Sequence, residues 1–357
     1  MSDAGELAAW IELSLVPGLG DRRFRSLLST FGLPTRILSA TRSQLCRVVP
    51  EALAARILER SRGSDVEKTL QWATQAGHAL LTLADTEYPR QLLEIPDPPA
   101  LLYVAGNMKL LSSSALAVVG SRNATPQGMK NAQSFARAFS EAGFAIVSGL
   151  ALGVDSAAHR GGLEGRGSTI AVLGTGIDIV YPRRNEPLAE EIASRGALVS
   201  EFPLGAPPNA ANFPRRNRLI SGLARGCLVV EAALDSGSLI TARLAAEQGR
   251  EVLAIPGSIH SPLSKGCHAL IKQGAKLVES AQDVLEELGV TRAPDAAPPE
   301  SGVGHDLLDK MGFDPCAIDG LIELSGLTAE VVSAILLQLE LEGKIASLPG
   351  GLYQRVP

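Results

Sequence analysis

The sequence predicts an α/β fold: a Rossmann-like, doubly wound and mostly parallel sheet, preceded by a helical domain and followed by a winged helix. Three observations predict it. Residues up to about Gly77 have helical periodicity and no strand pattern. From Ala115 onward, short apolar runs that end in glycine alternate with helical stretches, the pattern of a parallel sheet covered on both faces. The residues after the last Pro- and Ala-rich stretch combine three helical segments with a two-stranded wing.

The alternating region gives the order of its elements. The predicted strands are 115–120, 145–148, 170–173, 198–201, 227–230, 252–255 and 276–278. The predicted helices between them are 128–142, 155–164, 185–194, 215–223, 238–248 and 267–273. Ligands of such sheets bind beyond the carboxyl ends of the strands, so the residues that follow each strand are the candidate site.

We expect the chain to divide into five parts. They are a helical domain of the helix-hairpin-helix/SAM-like type (1–77), an extended Pro-rich connector with a candidate edge strand (78–112), the Rossmann-like domain (113–290), a linker (291–304) and the winged helix (305–357).

The first part has two interpretations. Val16-Pro-Gly-Leu-Gly20 precedes an amphipathic stretch, and a weaker unit follows over 33–58. The pair is typical of tandem helix-hairpin-helix units, in which a glycine turn presents backbone N–H groups to a DNA phosphate. A small helical packing domain explains the same pattern.

The winged helix is not expected to read DNA. Its third predicted helix, 329–342, contains no Lys or Arg and cannot supply the phosphate contacts of a recognition helix. The pattern favours a protein-docking or dimerising role.

Composition excludes several classes of protein. The chain has 357 residues and a formal net charge of −5, and no apolar run is long enough to span a membrane. Its four cysteines are scattered without a CxxC pair, which is typical of a reduced cytoplasm and argues against a zinc site. We expect no metal and no cofactor.

The most informative segment begins with Phe213-Pro-Arg-Arg-Asn-Arg218 and ends at Gly226. It holds one aromatic residue and four arginines, uninterrupted by any acid, on an acidic chain. Arginine grips phosphate through its planar guanidinium group, and an aromatic ring beside it can stack on a base. The segment therefore predicts an anion site.

Helical spacing assigns roles within this segment. We expect Asn212 to cap the helix and Pro214 to occupy its first position, which leaves Phe213 projecting away from the helix. The apolar residues at 219, 220 and 223 should face the core, and Arg218 should lie on another face. Arg216 falls on the buried face in the first turn, where a charge is costly unless the turn opens onto a cleft. The alternative is a solvated arginine face with Phe213 as a hydrophobic staple.

Small residues and arginines recur where the predicted strands end. The first strand runs through Gly120-Ser-Arg122, the second into Ser148-Gly149 and on to Asp155, and the third into Gly174-Thr-Gly176. Together these strand ends predict a phosphate-lined groove. The first strand lacks the GxGxxG fingerprint, which argues against NAD binding. His159 beside Asp155 is either a general base or a support for its loop.

These motifs resemble the DNA-processing protein A (DprA/Smf) family. The resemblance rests on 119–122, 148–160, 181–182, 213–222, 236–242 and 266–271, and it is close over about 88–288. It implies a single-stranded DNA-binding protein of natural transformation and recombination. Such a protein protects incoming DNA, helps to load the RecA-type recombinase, acts as a dimer and has no known catalytic activity.

The resemblance also implies a set of site residues. Arg122 would hold phosphate, Arg183 would be the basic residue after Tyr181-Pro182, and the pocket would centre on Phe213 and the residues after it. His268 stands where the family more often has Asn, and it is assigned no role. The expected single-stranded DNA site is Gly120, Ser121, Arg122, Gly149, Arg183, Phe213, Arg215, Arg216, Asn217 and Arg218.

Two other functions fit parts of the sequence. The first is a nucleotide-processing hydrolase of the lysine decarboxylase-like Rossmann superfamily, whose PGGxGTxxE motif would correspond to 231–241. That stretch has Asp235-Ser-Gly-Ser in place of the glycine pair, which favours binding over hydrolysis. The second is a transcription factor, against which the absence of basic residues from the third helix of the winged helix argues.

Overall fold

The computed structural model describes residues 4–60, 62–289 and 306–356. The first part is helical, as the sequence predicted, and has its own apolar core that includes Trp10, Phe24 and Leu27. Its helices are α1 (Ala4–Ser14), α2 (Asp21–Phe31), α3 (Pro34–Ser39), α4 (Arg42–Leu45), α5 (Glu51–Leu58) and α6 (Gly63–Ala73).

The sheet contains every strand that the apolar runs predicted, with boundaries shifted by at most a few residues. Its strands are β1 (His78–Thr82), β2 (Leu101–Gly106), β3 (Ala115–Val119), β4 (Ala145–Ser148), β5 (Thr169–Val172), β6 (Ala197–Ser200), β7 (Gly226–Val229), β8 (Glu251–Ala254) and β9 (Lys276–Leu277). Their spatial order is β1-β2-β6-β5-β4-β3-β7-β8-β9.

The chain reverses its direction across the sheet at β3. The parallel strands β4, β5 and β6 extend to one side of it, and β7, β8 and β9 extend in parallel to the other. This is the doubly wound topology that the sequence predicted. Its crevice lies at the carboxyl ends of β3 and β7, where the connections that leave the two strands run to opposite sides.

The connector contributes more structure than its Pro-rich sequence predicted. Its two strands form an antiparallel hairpin, and β2 pairs antiparallel with β6, so the hairpin extends the main sheet. Residues 78–112 are therefore part of the sheet's edge and not merely a segment laid over it. The predicted edge strand is β2, but β2 lies between β1 and β6 and is not at the edge. Its apolar side chains at alternate positions face the core on each side.

Helices cover both faces of the sheet. One face carries α7 (Arg90–Leu93), α11 (Asn212–Leu223), α12 (Ser238–Glu247) and α13 (Lys265–Lys272). The other carries α8 (Pro126–Glu141), α9 (Val154–Glu164), α10 (Glu186–Arg195) and α14 (Ala281–Glu287). As predicted, Leu219, Ile220 and Leu223 of α11 are buried in the core.

The winged helix is confirmed, and a short third strand joins its wing. Its core includes Leu321, Val332 and Leu336. Its elements are α15 (Asp306–Met311), β10 (Cys316–Ala317), α16 (Ile318–Ser325), α17 (Ala329–Leu341), β11 (Ile345–Leu348) and β12 (Leu352–Arg355). The predicted linker, 291–304, lies outside the described residues. Among the described helices, none combines the length and the apolar character needed to cross a lipid bilayer.

The connector packs tightly against α11, and this contact can be tested. A Cβ at Gly222 would lie 2.9 Å from Leu92 Cδ2 and from Ile95 Cγ2. Gly222→Ala should lower the free energy of unfolding by about 1–3 kcal/mol, because it overpacks this contact. Gly63→Ala is the matched control, since a Cβ there meets nothing within 4 Å. Equal melting temperatures for the two variants in thermal denaturation would contradict the packing.

Candidate functional site

An open cavity of about 840 Å³ lies at the carboxyl edge of the sheet, at the crevice between β3 and β7. Gly120, Ser121 and Arg122, directly after β3, line one wall. The first two turns of α11 line a second wall, and the loop before α12 lines a third wall. The strand-end residues and the arginine segment, predicted separately, thus meet at one place.

The base of the cavity is built around the buried guanidinium group of Arg216. This side chain donates hydrogen bonds from Nη1 to the carbonyl oxygens of Gly149, at 2.8 Å, and Val172. It also donates from Nε to Asn217 Oδ1 at 3.3 Å. A Cβ at Gly149 would lie 2.5 Å from Arg216 Nη2, so only glycine permits this approach.

Asp155 completes this arrangement from the first turn of α9. Its Oδ2 accepts hydrogen bonds from the backbone N–H groups of Gly149, at 3.1 Å, and Ala151, at 3.3 Å. Burial raises the pKa of Asp155, and the charge of Arg216 opposes that rise. Burial lowers the pKa of Arg216 to about 10, with Asp155 acting in the opposite sense. A buried acid and a buried base therefore hold the β4–α9 loop between them.

Arg216 lines the cavity, as its position predicted, but only 5 % of its surface is exposed. Its hydrogen bonds to backbone carbonyls give it a structural role in shaping the cavity. Asn217 has a similar role, because its Nδ2 donates to the carbonyl oxygen of Gly237 at 3.3 Å and ties α11 to the loop before α12.

Phe213 lies half-buried at the mouth of the cavity. Its ring rests so close to the backbone of Gly174 that a Cβ there would lie 2.6 Å from Phe213 Cδ1. The ring centroid is 5.6 Å from that of Tyr181, and the guanidinium carbon of Arg122 is 5.8 Å from it. The cavity mouth thus combines two aromatic rings with one exposed arginine.

Two details of the predicted helix are wrong. The helix α11 begins at Asn212, so Asn212 does not cap it, and no side chain caps it from Ala211. Phe213 lies inside the first turn and is not projected away by Pro214. Proline is tolerated there because the first-turn N–H groups have no partner within the helix. A staple residue would precede the helix, so this placement also argues against the staple interpretation.

The sequence predicted that Arg218 contacts DNA from a face other than the apolar one. Instead, Arg218 is buried in an ion-pair network with Arg215. Glu201, directly after β6, accepts from Arg218 Nη2 at 2.5 Å and from Arg215 Nη2 at 2.7 Å. Asp21, the first residue of α2, lies 3.2 Å from Arg218 and 2.8 Å from Arg215. The network therefore joins the helical domain to α11. Neither arginine lines the cavity, although Arg215 retains 45 % side-chain exposure.

Arg183 lies just outside the cavity. It begins a 3₁₀ turn (Arg183–Asn185) two residues after Tyr181 and is exposed. The sequence did not single out Asn185, yet this buried amide donates to the carbonyl oxygen of Leu150 at 2.8 Å and supports the β4–α9 loop. The sequence indicated Tyr181 only as part of the Tyr181-Pro182 motif. The scarcity of aromatic residues, 4 % of the chain, was the signal that could have identified it.

His159 supports the loop and does not face the cavity. It is fully buried, and its Nε2 accepts from the backbone N–H of Leu150 at 3.3 Å while its Nδ1 lies 2.7 Å from Thr169 Oγ1. The Thr169 hydroxyl donates to the Ile146 carbonyl, so Nδ1 carries the imidazole proton. Burial lowers the pKa of His159 to about 3, which keeps the ring neutral.

Glu231 is also engaged by its surroundings. Its carboxylate accepts from Thr125 N at 2.9 Å and from Thr125 Oγ1 at 2.6 Å, directly before α8. Its own carbonyl oxygen accepts from Ser121 N at 2.7 Å. Burial raises the pKa of Glu231, and the bonds from Thr125 oppose that rise. These contacts account for its position after β7 without a reacting substrate.

The fold and the cavity define a class: a Rossmann-like protein with an aromatic, arginine-flanked ligand cleft at its topological switch point. Among the described residues, no group of His, Cys, Asp and Glu is placed to hold a metal ion. Comparison with known proteins identifies the family within this class. The model of the DNA recombination-mediator protein A family matches residues 79–289, and the model of the DprA winged helix domain matches 291–351. The chain belongs to this family.

Individual relatives agree. Protein Smf of Escherichia coli is 46 % identical over 310 residues, which cover 84 % of this chain and 83 % of that protein. The DNA processing protein DprA of Streptococcus pneumoniae is 50 % identical over 206 residues, 58 % of this chain and 73 % of the relative.

Two solved structures share the fold. The X-ray structure of S. pneumoniae DprA superposes with a TM-score of 0.69 at 39 % identity and covers 78 % of this chain and 95 % of that one. The Helicobacter pylori DNA processing protein A, solved for its single-stranded DNA binding mode, gives a TM-score of 0.54 at 32 % identity over 58 % of this chain and 95 % of that one. The family resemblance and the fold class are thereby confirmed. The domain boundaries and the site residues stay predictions.

The ion-pair network should make stability depend on pH through Glu201. Burial raises the pKa of Glu201 to about 7, against the opposing charges of Arg218 and Arg215. The folded state then binds a proton at Glu201 more tightly than the unfolded state does. Protonation of Glu201 therefore contributes to the free energy of unfolding, and this contribution is complete below the ordinary glutamate pKa. It is lost as the pH rises through about 7. The loss should amount to about 3 kcal/mol at most.

Chemical denaturation of the wild type and Glu201→Gln, from the ordinary glutamate pKa of 4.5 to above pH 7, measures how the free energy of unfolding changes with pH. The variant cannot titrate at this position, so its stability should fall less with rising pH. Parallel pH profiles for the two proteins would contradict the assignment.

Proposed function

We propose that the cleft binds single-stranded DNA without sequence preference. The observation that carries the proposal is the placement of Phe213 at the cavity mouth, with the Tyr181 ring and the Arg122 guanidinium group close to its ring. Aromatic rings stack on any base, and an arginine beside them can hold the neighbouring phosphate. The bases of a duplex have both faces occupied, so this arrangement favours a single strand.

The charges near the cleft set the strength of phosphate binding. Arg122 and Arg183 are exposed, and Arg215 is exposed in part. Arg216 and Arg218 are withdrawn into hydrogen bonds and ion pairs. If Arg122, Arg183 and Arg215 make the phosphate contacts, the salt dependence of log K should have a slope of roughly −2. The local sequence, with four arginines in one segment, suggested a steeper slope of about −3.

Family membership supports the wider role. The S. pneumoniae and Bacillus subtilis relatives are DNA processing proteins, and the H. pylori relative binds single-stranded DNA. We extend the proposal to a cytoplasmic homodimer that protects incoming single-stranded DNA during natural transformation and helps to load a RecA-type recombinase. The proposal includes no catalytic step. The carboxylate of Glu231, in the stretch that corresponds to the hydrolase motif, is hydrogen-bonded to Thr125.

The winged helix is proposed as a protein-docking element. Helix α17 exposes Val331, Leu337 and Leu341, and its sequence has no basic residue. Such a face suits an apolar partner surface better than a phosphate backbone.

Binding to oligonucleotides of one sequence in single-stranded and blunt duplex form tests the proposed function. The single strand should bind at least tenfold more tightly, a difference of about 1.4 kcal/mol. Fluorescence anisotropy at two salt concentrations gives both the affinity and the slope. Equal affinity for the two forms would contradict the proposal.

Two cleft variants should differ in kind. Phe213→Ala should cost roughly 1–3 kcal/mol of binding with little change in salt slope, because it removes a stacking contact. Arg122→Ala should reduce the slope by about 0.7, because it removes a phosphate contact. Arg243→Ala, which changes an exposed arginine of α12 that does not line the cavity, is the control for the charge change. Identical salt slopes for Arg122→Ala and the control would contradict the phosphate role.

A further inference from the structure

The helical domain carries a strongly cationic segment that the cleft does not use. Residues 17–50 contain six arginines against a single acidic residue, Asp21, although the chain as a whole is acidic. Asp21 is turned inward to Arg215 and Arg218 and does not neutralise the outer surface.

Four of the domain's exposed arginines gather around the start of α2. Three of them, Arg22, Arg23 and Arg25, lie in its first two turns. The fourth, Arg56 of α5, reaches the turn before α2 and donates to the Pro17 carbonyl at 3.2 Å, close to where Arg23 donates to the Gly18 carbonyl at 3.3 Å. We call these four residues the α2 arginine cluster.

The cluster has unused binding capacity. Each guanidinium group has five N–H donors, and each of Arg23, Arg25 and Arg56 donates a single described hydrogen bond, to a backbone carbonyl. Among the residues that the structure describes, none of the four forms an ion pair with a carboxylate. Exposed arginines with free donors and no acidic partner are suited to a polyanion.

The position of the cluster points to the same ligand as the cleft. Arg215 lies two residues after Phe213 on α11, and its guanidinium group is 2.8 Å from Asp21, the residue directly before Arg22. Arg25 donates to the Pro96 carbonyl at 3.0 Å, which fixes this side of α2 against the connector. The half-exposed Arg215, whose Nη2 is paired with Asp21 and Glu201, therefore lies between the cavity mouth and the cluster.

We propose that the α2 arginine cluster is a second phosphate-contact surface, over which a DNA strand continues after it leaves the cleft past Arg215. The inference rests on the proposed function of the cleft. Around the cluster, the exposed neighbours Ser26, Ser29 and Thr30 are polar, and hydroxyl groups beside arginines are suited to phosphate contacts.

Oligonucleotide length separates the two surfaces. An oligo-dT of roughly 6 nucleotides is in the range that a single site occupies, whereas one of roughly 25 can reach both surfaces. The variant Arg22→Ala/Arg23→Ala should bind the short oligonucleotide like the wild type. It should bind the long one at least tenfold more weakly near 0.1 M salt, with a salt slope smaller by about 1.4, because two phosphate contacts are lost.

Two further variants serve as controls. Arg36→Ala/Arg47→Ala removes the same charge from two exposed arginines of the same domain that lie outside the cluster, and it should change neither affinity. Arg22→Lys/Arg23→Lys keeps the charge and should retain most of the long-strand affinity. Melting temperatures establish that each variant is folded.

The outcomes distinguish the inference from the function on which it rests. If the wild type binds both oligonucleotides and the cluster variant behaves like the Arg36/Arg47 control on the long one, the second surface is wrong while the cleft stands. Equal wild-type affinity for the short and the long oligonucleotide has the same meaning. If the wild type binds neither the short nor the long oligonucleotide, both proposals are overturned.

Discussion

The buried Arg216 guanidinium group is the interaction on which the geometry of the cleft depends. A permanent charge in a protein interior is tolerated only when its hydrogen bonds are satisfied, and here backbone carbonyls from two neighbouring strand ends satisfy it. Because Gly149 directly follows β4 and Val172 ends β5, one side chain fixes the relative position of two strand ends at the carboxyl edge. Asp155 holds the loop after β4 by accepting hydrogen bonds from that loop's backbone N–H groups. The cation thus binds a carbonyl oxygen of this short segment, and the anion binds its amide groups.

A second set of charges fixes the helix that carries Phe213. Glu201 is 1 % exposed at its side chain and lies between two arginines of α11, while Asp21 approaches from the helical domain. Buried ion pairs contribute little net stability but impose strict geometry, since leaving any member unpaired is costly. The helical domain is thereby held beside the cleft at a defined position. An arginine segment that looks uniform in sequence divides into residues that build the site and residues that remain available to a ligand.

The sequence was sufficient for the sheet and for the location of the cleft, because both follow from local apolar runs and from the rule that parallel strands end at one edge. It was insufficient for the roles of individual arginines. The acids that neutralise Arg218 are 17 and 197 residues away, and no local pattern reveals such partners. The start of α11 was misplaced because an X-Pro pair biases the preceding residue toward an extended backbone, and here Pro214 lies within the first turn instead. Of the two connector strands, β2 was predicted as a candidate edge strand and β1 was missed.

The position of Glu231 explains why the start of α8, the usual phosphate position of a Rossmann-like sheet, is not open to an external anion. In dinucleotide-binding proteins a pyrophosphate lies at the start of the first helix after the first strand, where free N–H groups attract an anion. Here the Glu231 carboxylate occupies that place, accepting from Thr125 just before α8, and a Cβ at Gly128 would lie 2.3 Å from its carboxyl carbon. Gly120 is likewise crowded, by Val154 and the Glu231 carbonyl. With the protein's own anion in the usual phosphate position, the open part of the crevice lies beside Arg122 and Phe213, where the proposed strand would stack a base on the aromatic ring and place a phosphate near the guanidinium group.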